Sequence, residues 1–364
     1  MKSNNDSNRD CAPQNVLRRN GIKELGISRS AFAMWLLALM SIALLVGVLY
    51  CGTVDLAAAN VTRALRELFT GTPGVSIDSL IVTEVRLPMG ITAFMAGVGL
   101  SLAGLLLQTT FNNPLAGPSI LGISTGASLG VAIVMLLFGG WLGSGIGYYT
   151  GIMTGAFAGA ALVMVLLLGF SMLLRGNTML LIMGILIGYL ASSAISLLNF
   201  FSTQQGVHSY VIWGMGNFSG LNRSDLAVMV CAVALLTVGA MLMVKPLNAL
   251  LLGREYAESM GVDVKRSRNI LLLISGLFTA VVTAFCGPIG FLGLVMPHVA
   301  RMITGTSNHR VLLPATALAG GCGGLLCCWL SVVCGGGQII PVNAITPLIS
   351  VPVIIYVILN RKKL

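Results

Sequence analysis

The sequence predicts an all-α, polytopic membrane protein of about ten spans, and three observations carry that prediction. Of 364 residues, 56% are hydrophobic and only 9% charged, where a soluble domain holds about 25% charged residues. The apolar residues come in continuous runs of roughly 20, enough for a helix to cross a bilayer. They do not alternate with polar residues as the strands of a membrane barrel do. Lastly, the basic residues sort by side once ten spans are drawn.

In chain order, residues 1–30 are polar, with six basic and three acidic residues. The stretch and the apolar run after it are too long for a cleaved signal peptide, so 1–30 is expected to be a cytoplasmic, disordered tail. Residues 31–364 form the membrane domain, with spans expected near 31–52, 87–107, 119–139, 147–174, 178–200, 225–244, 268–286, 289–304, 311–333 and 341–360. The eighth is short and carries Pro288 and Pro297. A broken helix of that kind is tolerated only where protein buries it or it lines a cavity. Between the first two spans, TRALRELF reads as an interfacial helix. The 201–224 segment is too polar to span and is rich in aromatics and glycine, so it could line a pore mouth; His208 within it reads as an exposed loop histidine. Glycines recur at small-xxx-small spacing, as Gly122/Gly126/Gly130, Gly151/Gly155/Gly159, Gly184/Gly188 and Gly320/Gly324, which suits close helix packing.

Ten spans place both termini on one side. Of the 21 basic residues, all but Arg63, Arg66, Arg86 and Arg223 then fall on that side, which the positive-inside rule makes cytoplasmic. The net charge of +10 is explained by this topology and needs no nucleic-acid partner. The longest charged segment between apolar runs, 245–268, is cytoplasmic on the same rule. Within it REYAESMG forms one short helix, with Tyr256, Ala257 and Met260 on one face and Arg254, Glu255 and Glu258 on the rest. Gly261 is placed as the left-handed residue that ends it. A helix this short is marginal alone in water. Either its apolar face is pressed against another protein, or it is a solvated helix lying on its own domain.

The chain lacks GxxxxGK[ST] and HExxH, and so carries no P-loop of its own. The eight cysteines show no CxxC or Cys/His spacing, which points away from metal sites and disulfides. The 11 acidic residues fall in expected tails or loops, Asp225 at the very edge of an expected span. Ion-coupled carriers hold an ionisable group within the membrane, so a secondary transporter and an intramembrane enzyme are both disfavoured. A receptor or structural membrane protein stays open. A conduit driven by another protein's energy gives the 245–268 helix a role.

Three blocks resemble one family. RLPMGITAFMAGVGLSLAGLLLQTTFNNPLAGPSILGISTGASLG (86–130), LLLGREYAESMGV (250–262) and GPIGFLGLVMPHVARMITGTSNHRVLLP (287–314) are similar to the permease subunits of binding-protein-dependent ABC importers for ferric siderophores, haem and cobalamin, the FecCD-type, BtuC-like permeases. The resemblance covers about 31–361. It implies the type II ABC importer architecture: a homodimer in the cytoplasmic membrane, two ABC ATPase subunits beneath it and a periplasmic or surface substrate-binding protein outside. The chain itself would hold no cofactor, since ATP and Mg bind the partner ATPase. The implied cargo is a ferric siderophore, with cobalamin or haem as alternatives, and the implied pore lining is apolar.

Residue by residue, the resemblance implies an ATPase-docking role for Leu252, Gly253, Arg254, Glu255, Tyr256, Ala257, Met260 and Gly261. At the outer rim, relatives carry arginines around a Leu-Pro pair that meet acidic groups of the binding protein. Arg86 matches the first, whereas Met89 and Val332 stand where others would be. Arg63 and Arg66 either substitute or are simply solvated. Asn177 and Thr178 occupy inner-gate positions, with Asn177 as a helix cap as the other reading. Asn112, Asn113 and Pro114 are expected to shape a turn, and Pro297–His298 to form a structural break with no metal.

Overall fold

The computed structural model describes residues 29–70, 76–139, 146–174 and 176–359; the tail 1–28, Arg175 and the basic residues 361–363 lie outside them. Among the described residues the fold is all-helical. Helix α1 is Arg29–Tyr50, α2 Ala58–Thr70, α3 Ile77–Thr110, α4 Ile123–Leu137, α5 Ile146–Leu173, α6 Asn177–Phe201 and α7 Gln204–Gly214. Then follow α8 Arg223–Leu242, α9 Val244–Leu250, α10 Arg254–Ser259, α11 Val264–Cys286, α12 Leu292–Thr304, α13 His309–Val333 and α14 Val342–Leu359. Seven of these are long and apolar enough to cross a bilayer (α1, α3, α5, α6, α8, α11 and α13), and α4, α12 and α14 are shorter apolar helices. Together they account for the ten expected spans.

Helix α3 is the hub. It packs against α1, α8, α11, α12 and α13, and most of its membrane-spanning part is buried. Lipid is as apolar as leucine, so packing in a membrane rests on close approach and not on a hydrophobic force. The glycines supply that approach. A Cβ on Gly97 would overlap the carbonyl of Gly320 in α13, and one on Gly104 the carbonyl of Gly293 in α12. The small-residue stripes of α4 and α5 likewise meet each other, Gly126 and Gly130 against Gly155 and Gly159, and Gly122 lies on Gly184 and Gly188 of α6. Two apolar cores result, one around α3, α8, α12 and α13, the other between α4 and α5. Helix α11 feeds both, through Phe278 and Val282 on one side and Leu272 and Ala284 on the other.

The second span starts ten residues earlier than hydropathy places it. Ser76 caps α3 by accepting from the Ser79 amide, Asp78 sits in the first turn, and Ile81–Arg86 form a π-helical stretch. Helix α2 holds this extension, since Asn60 donates to Asp78 at 2.6 Å and Ser79 donates to Glu67 at 2.9 Å. Glu84 is therefore helical rather than in a loop, and pairs with Arg223. The 201–224 segment, expected as a loop, contains α7, started by Thr203 accepting from the Gly206 amide. Loop 111–122 turns at Asn112, whose φ is +47°, and the Asn113 side chain accepts from the Leu115 amide. His298 donates from Nε2 to the Pro114 carbonyl at 2.9 Å, tying α12 to that turn.

Span eight is broken. Helix α12 has 13 residues, about 20 Å at 1.5 Å per residue, too short for a hydrocarbon core of about 30 Å. The chain from Gly287 to Phe291 precedes it in non-helical form, with φ of +75° and +67° at its two ends. Several of its polar backbone groups find protein partners, as membrane depth requires. Asn343 of α14 accepts from the Gly290 amide at 3.1 Å and donates to the Pro288 carbonyl at 2.6 Å and the Gly214 carbonyl at 3.2 Å.

Gly104→Val tests the hub. Its branched side chain would strike the Gly293 backbone, which cannot rotate away, and overpacking costs about 1–3 kcal/mol or more. The expected result is a sharp fall in monodisperse protein after heating in detergent. Gly169→Ala in α5, where a Cβ meets nothing within 4 Å, is expected to leave that profile unchanged.

Candidate docking loop and transport path

Loop 245–268 is built from rigid local pieces. Helix α9 ends at Leu250, Leu251–Gly253 turn the chain, and α10 runs from Arg254 to Ser259. Gly253 (φ +100°) and Gly261 (φ +81°) bracket α10, and a Cβ at either would meet nothing within 4 Å. Both positions therefore favour glycine for backbone conformation. The C-terminal end is a Schellman motif: the Val262 amide donates to the Ala257 carbonyl and the Gly261 amide to the Glu258 carbonyl, each at 3.0 Å. Asp263 then caps α11 by accepting from the Arg266 amide at 2.9 Å. Arg254 pairs with Glu258 at 2.8 Å on the exposed face, a contact of only about 0.3–0.5 kcal/mol.

The predicted face of α10 divides in two. Ala257 is 0% exposed and rests on its own domain, while Tyr256 is 68% and Met260 63% exposed. Leu252 joins them, so that three large apolar side chains four residues apart face outward. Arg254, Glu255 and Glu258 are exposed around them. Beside Arg254 at the start of α10 lies a cavity of about 800 Å³, lined also by Thr109, Thr110 and Asn112 at the end of α3, Met172–Leu174 at the end of α5, and Lys265 and Arg268 of α11.

Asn177 and Thr178, expected at an inner gate, follow Leu174 of this cavity in the chain. Helix α6 begins at Asn177, but Gly176 occupies the cap position and makes no side-chain bond, so Asn177 is not the cap. Its side chain lies outside the described residues. Thr178 is exposed.

The opposite end corrects one expectation. Arg86, placed at the rim as a docking cation, is 2% exposed. Its guanidinium donates to the carbonyls of Leu49 (2.8 Å), Tyr50 (3.1 Å) and Val54. These are carbonyls at and just beyond the C-terminus of α1, where a helix has unpaired acceptors and favours a cation. Arg86 ties α1 to α3 and offers no charge to a partner's surface. Met89 and Val332 are also buried. Arg63 and Arg66 are exposed on α2, which rests on Val61 and Ala64.

A second cavity, about 580 Å³, opens between α4, α6, α7 and the broken segment before α12. Its wall includes Ser124, Ser128, Ser192, Ser196, Tyr210 and Asn343. Ser124/Ser128 and Ser192/Ser196 are each four apart, so both helices turn a hydroxyl pair to one face. Burial pushes the Tyr210 phenol up to about 12, which keeps it a neutral donor. Neither these serines nor Asn343 stood out in the sequence. The only signal was the i, i+4 serine spacing within apolar runs.

A ten-span hub-and-loop permease is the class that this geometry defines. The chain belongs to the FecCD transport family, whose pattern matches residues 25–360, and is an ABC importer permease of that class. It is 32% identical over 285 residues to the vitamin B12 import system permease protein BtuC of Salmonella typhi, covering 78% of this chain and 85% of that one. The Citrobacter koseri BtuC is 31% identical over the same length. Among solved structures, one described as an inward-facing metal-chelate type ABC transporter superposes with a TM-score of 0.77 at 29% identity, covering 90% of this chain and 98% of that one. PsaBC of Streptococcus pneumoniae shares the fold at 13% identity and a TM-score of 0.50.

Arg86→Met removes every donor to those three carbonyls while keeping the bulk. Hydrogen bonds to charged groups contribute about 1.5–3 kcal/mol each, so the expected outcome is a large loss of thermal stability. Arg86→Lys, a point charge without the planar fork, is expected to recover part of it in the same melting assay.

Proposed function

We propose that this chain is the membrane permease of a binding-protein-dependent importer that carries a metal chelate, driven by a separate ATPase. The observation that carries the reading is α10: a rigid, doubly glycine-bracketed helix that exposes Leu252, Tyr256 and Met260 in a charged loop. Solvent-exposed apolar stripes of this kind mark a protein contact. In this reading the loop and both termini face the cytoplasm, two copies of the chain enclose the path, and two ATPase subunits seat on the two α10 helices. ATP and Mg stay on those subunits. A soluble binding protein delivers cargo to the opposite end, where Arg63 and Arg66 are exposed and the exposed Arg223 is paired with Glu84.

Transport in this scheme is alternating access. ATP binding changes the ATPase surface against α10, and the differential contact biases two arrangements of the spans. Asn177 and Thr178 narrow the path near the loop end, and the serine-lined cavity contributes neutral hydroxyls along it. Such a lining suits a large polar chelate and binds it without trapping it by charge. An ion-coupled mechanism finds little support, since the acids of the spanning helices sit near the helix starts, Asp78 bonded to Asn60, Glu84 paired with Arg223 and Asp225 in the first turn of α8.

The cargo proposed first is a ferric siderophore. Cobalamin is the second reading, favoured by the vitamin B12 permeases among the relatives, and haem is the third. ATP-dependent uptake in proteoliposomes holding the chain, its ATPase and the cognate binding protein separates the three, each offered in labelled form. Accumulation of the iron chelate alone is expected; accumulation of cobalamin alone would replace the first reading by the second.

Tyr256→Asp or Met260→Asp should weaken ATPase association at least about 30-fold, the scale of a central interface residue. Both side chains are mostly exposed, so thermal stability of the permease is expected to stay unchanged. Full retention of the ATPase in pull-down by either variant would remove α10 from the interface.

A further inference from the structure

The two stems of the 245–268 loop are anchored to different helices. The leading stem is α9. Its Asn248 carbonyl oxygen accepts from the His309 backbone amide at 2.9 Å and lies 3.0 Å from His309 Nδ1. The Asn248 amide nitrogen donates to Asn308 Oδ1 at 3.0 Å. Asn308 Oδ1 is itself an acceptor for the Arg310 amide, which orients the Asn248 amide and makes His309 Nδ1 a donor. Nε2 lies 2.9 Å from the Thr109 hydroxyl. Thr109 is on the last turn of α3, and its hydroxyl also lies 3.0 Å from the Leu105 carbonyl. His309 is fully buried.

The trailing stem, the first turns of α11, is anchored elsewhere. Arg268 donates to the Ser171 carbonyl, and the Ser171 hydroxyl donates to Asn269 Oδ1 at 2.6 Å. Lys265 reaches the Met172 carbonyl at 3.5 Å. These contacts hold α5. Between the stems, α10 borders the 800 Å³ cavity through Arg254 and buries Ala257 alone of its six residues.

We propose that His309 is a positioning residue for transport: through Asn248 and Thr109 it joins the leading stem of the loop to the hub helix α3. A push on α10 divides between two routes, one through His309 into α3 and α13, the other through Ser171 into α5. A polar network with its centre buried at His309 and Thr109 and its members bonded has few arrangements, so it transmits displacement where apolar side chains would slip. The proposal rests on the permease reading above.

The experiment measures uptake and ATP hydrolysis separately in proteoliposomes holding the full chain with its ATPase and binding protein. His309→Ala and Asn248→Ala are expected to keep the ATPase bound and hydrolysing, because the exposed face of α10 is untouched. Uptake per ATP should fall about tenfold, within the usual range of coupling between sites. The double variant should be no worse than His309→Ala, since both break one chain. His309→Gln, which keeps a donor and an acceptor, should recover most of the loss. If His309→Ala does not fold, Thr109→Val removes only the hydroxyl and should still lower uptake per ATP. Unchanged uptake per ATP in the folded variants would overturn the proposal, as would equal loss of uptake and hydrolysis, which marks a purely structural role. A wild-type chain that binds no ATPase would overturn the permease reading itself, and is seen before any variant is made.

Discussion

Along α3, Gly97 and Gly104 lie two turns apart on one face, and against them stand the carbonyls of Gly320 in α13 and Gly293 in α12. No side chain fits in either contact. The rest of the membrane domain depends on this approach. With α3 held at backbone distance from two neighbours, α1, α8 and α11 can close around it, and the broken segment before α12 is buried deeply enough to find protein partners for its amides. Asn343 completes that arrangement by serving three backbone groups from another helix. The same device recurs where α4 meets α5, so the fold is two glycine-seamed packings joined through α11.

Against that stiff body, the 245–268 loop is small, exposed and locally over-determined. Its helix is closed by backbone geometry at both ends and touches the domain through little more than Ala257. A helix so built keeps its shape under load while its seat can move, as a coupling element requires. The hydrogen bonds that hold its stems are where displacement would pass into the spans. They reach the hub on one side and the second packing on the other, so this one short helix is tied to both halves of the fold.

Charge is placed economically in this protein. Arg86 is buried among carbonyls that a helix end leaves open, and Glu84, two residues earlier, is bound to Arg223. The far end is consequently less cationic than its arginine count suggests: Arg86 is buried, and of the exposed Arg63, Arg66 and Arg223 the last is paired with Glu84.

Read alone, the sequence settles the ten apolar helices, the short charged helix and its glycine stop, because span length and helix capping are local properties of neighbouring residues. It also carries enough of NNPLAGP and GPIGFLGLVMPH to point to the family. Other features were decided only by the fold. Arg86 finds its acceptors 32–37 residues away, and His309 finds its own 61 and 200 away, distances over which a motif holds no geometric information. Tyr256 and Ala257 are adjacent and both apolar, so spacing could not say which one turns inward; contact with the body decided that. The serines of α4 and α6 look like tolerated small residues until the two helices face one cavity. Hydropathy reports what a residue prefers to leave water for, and tertiary packing alone decides which neighbour it meets there.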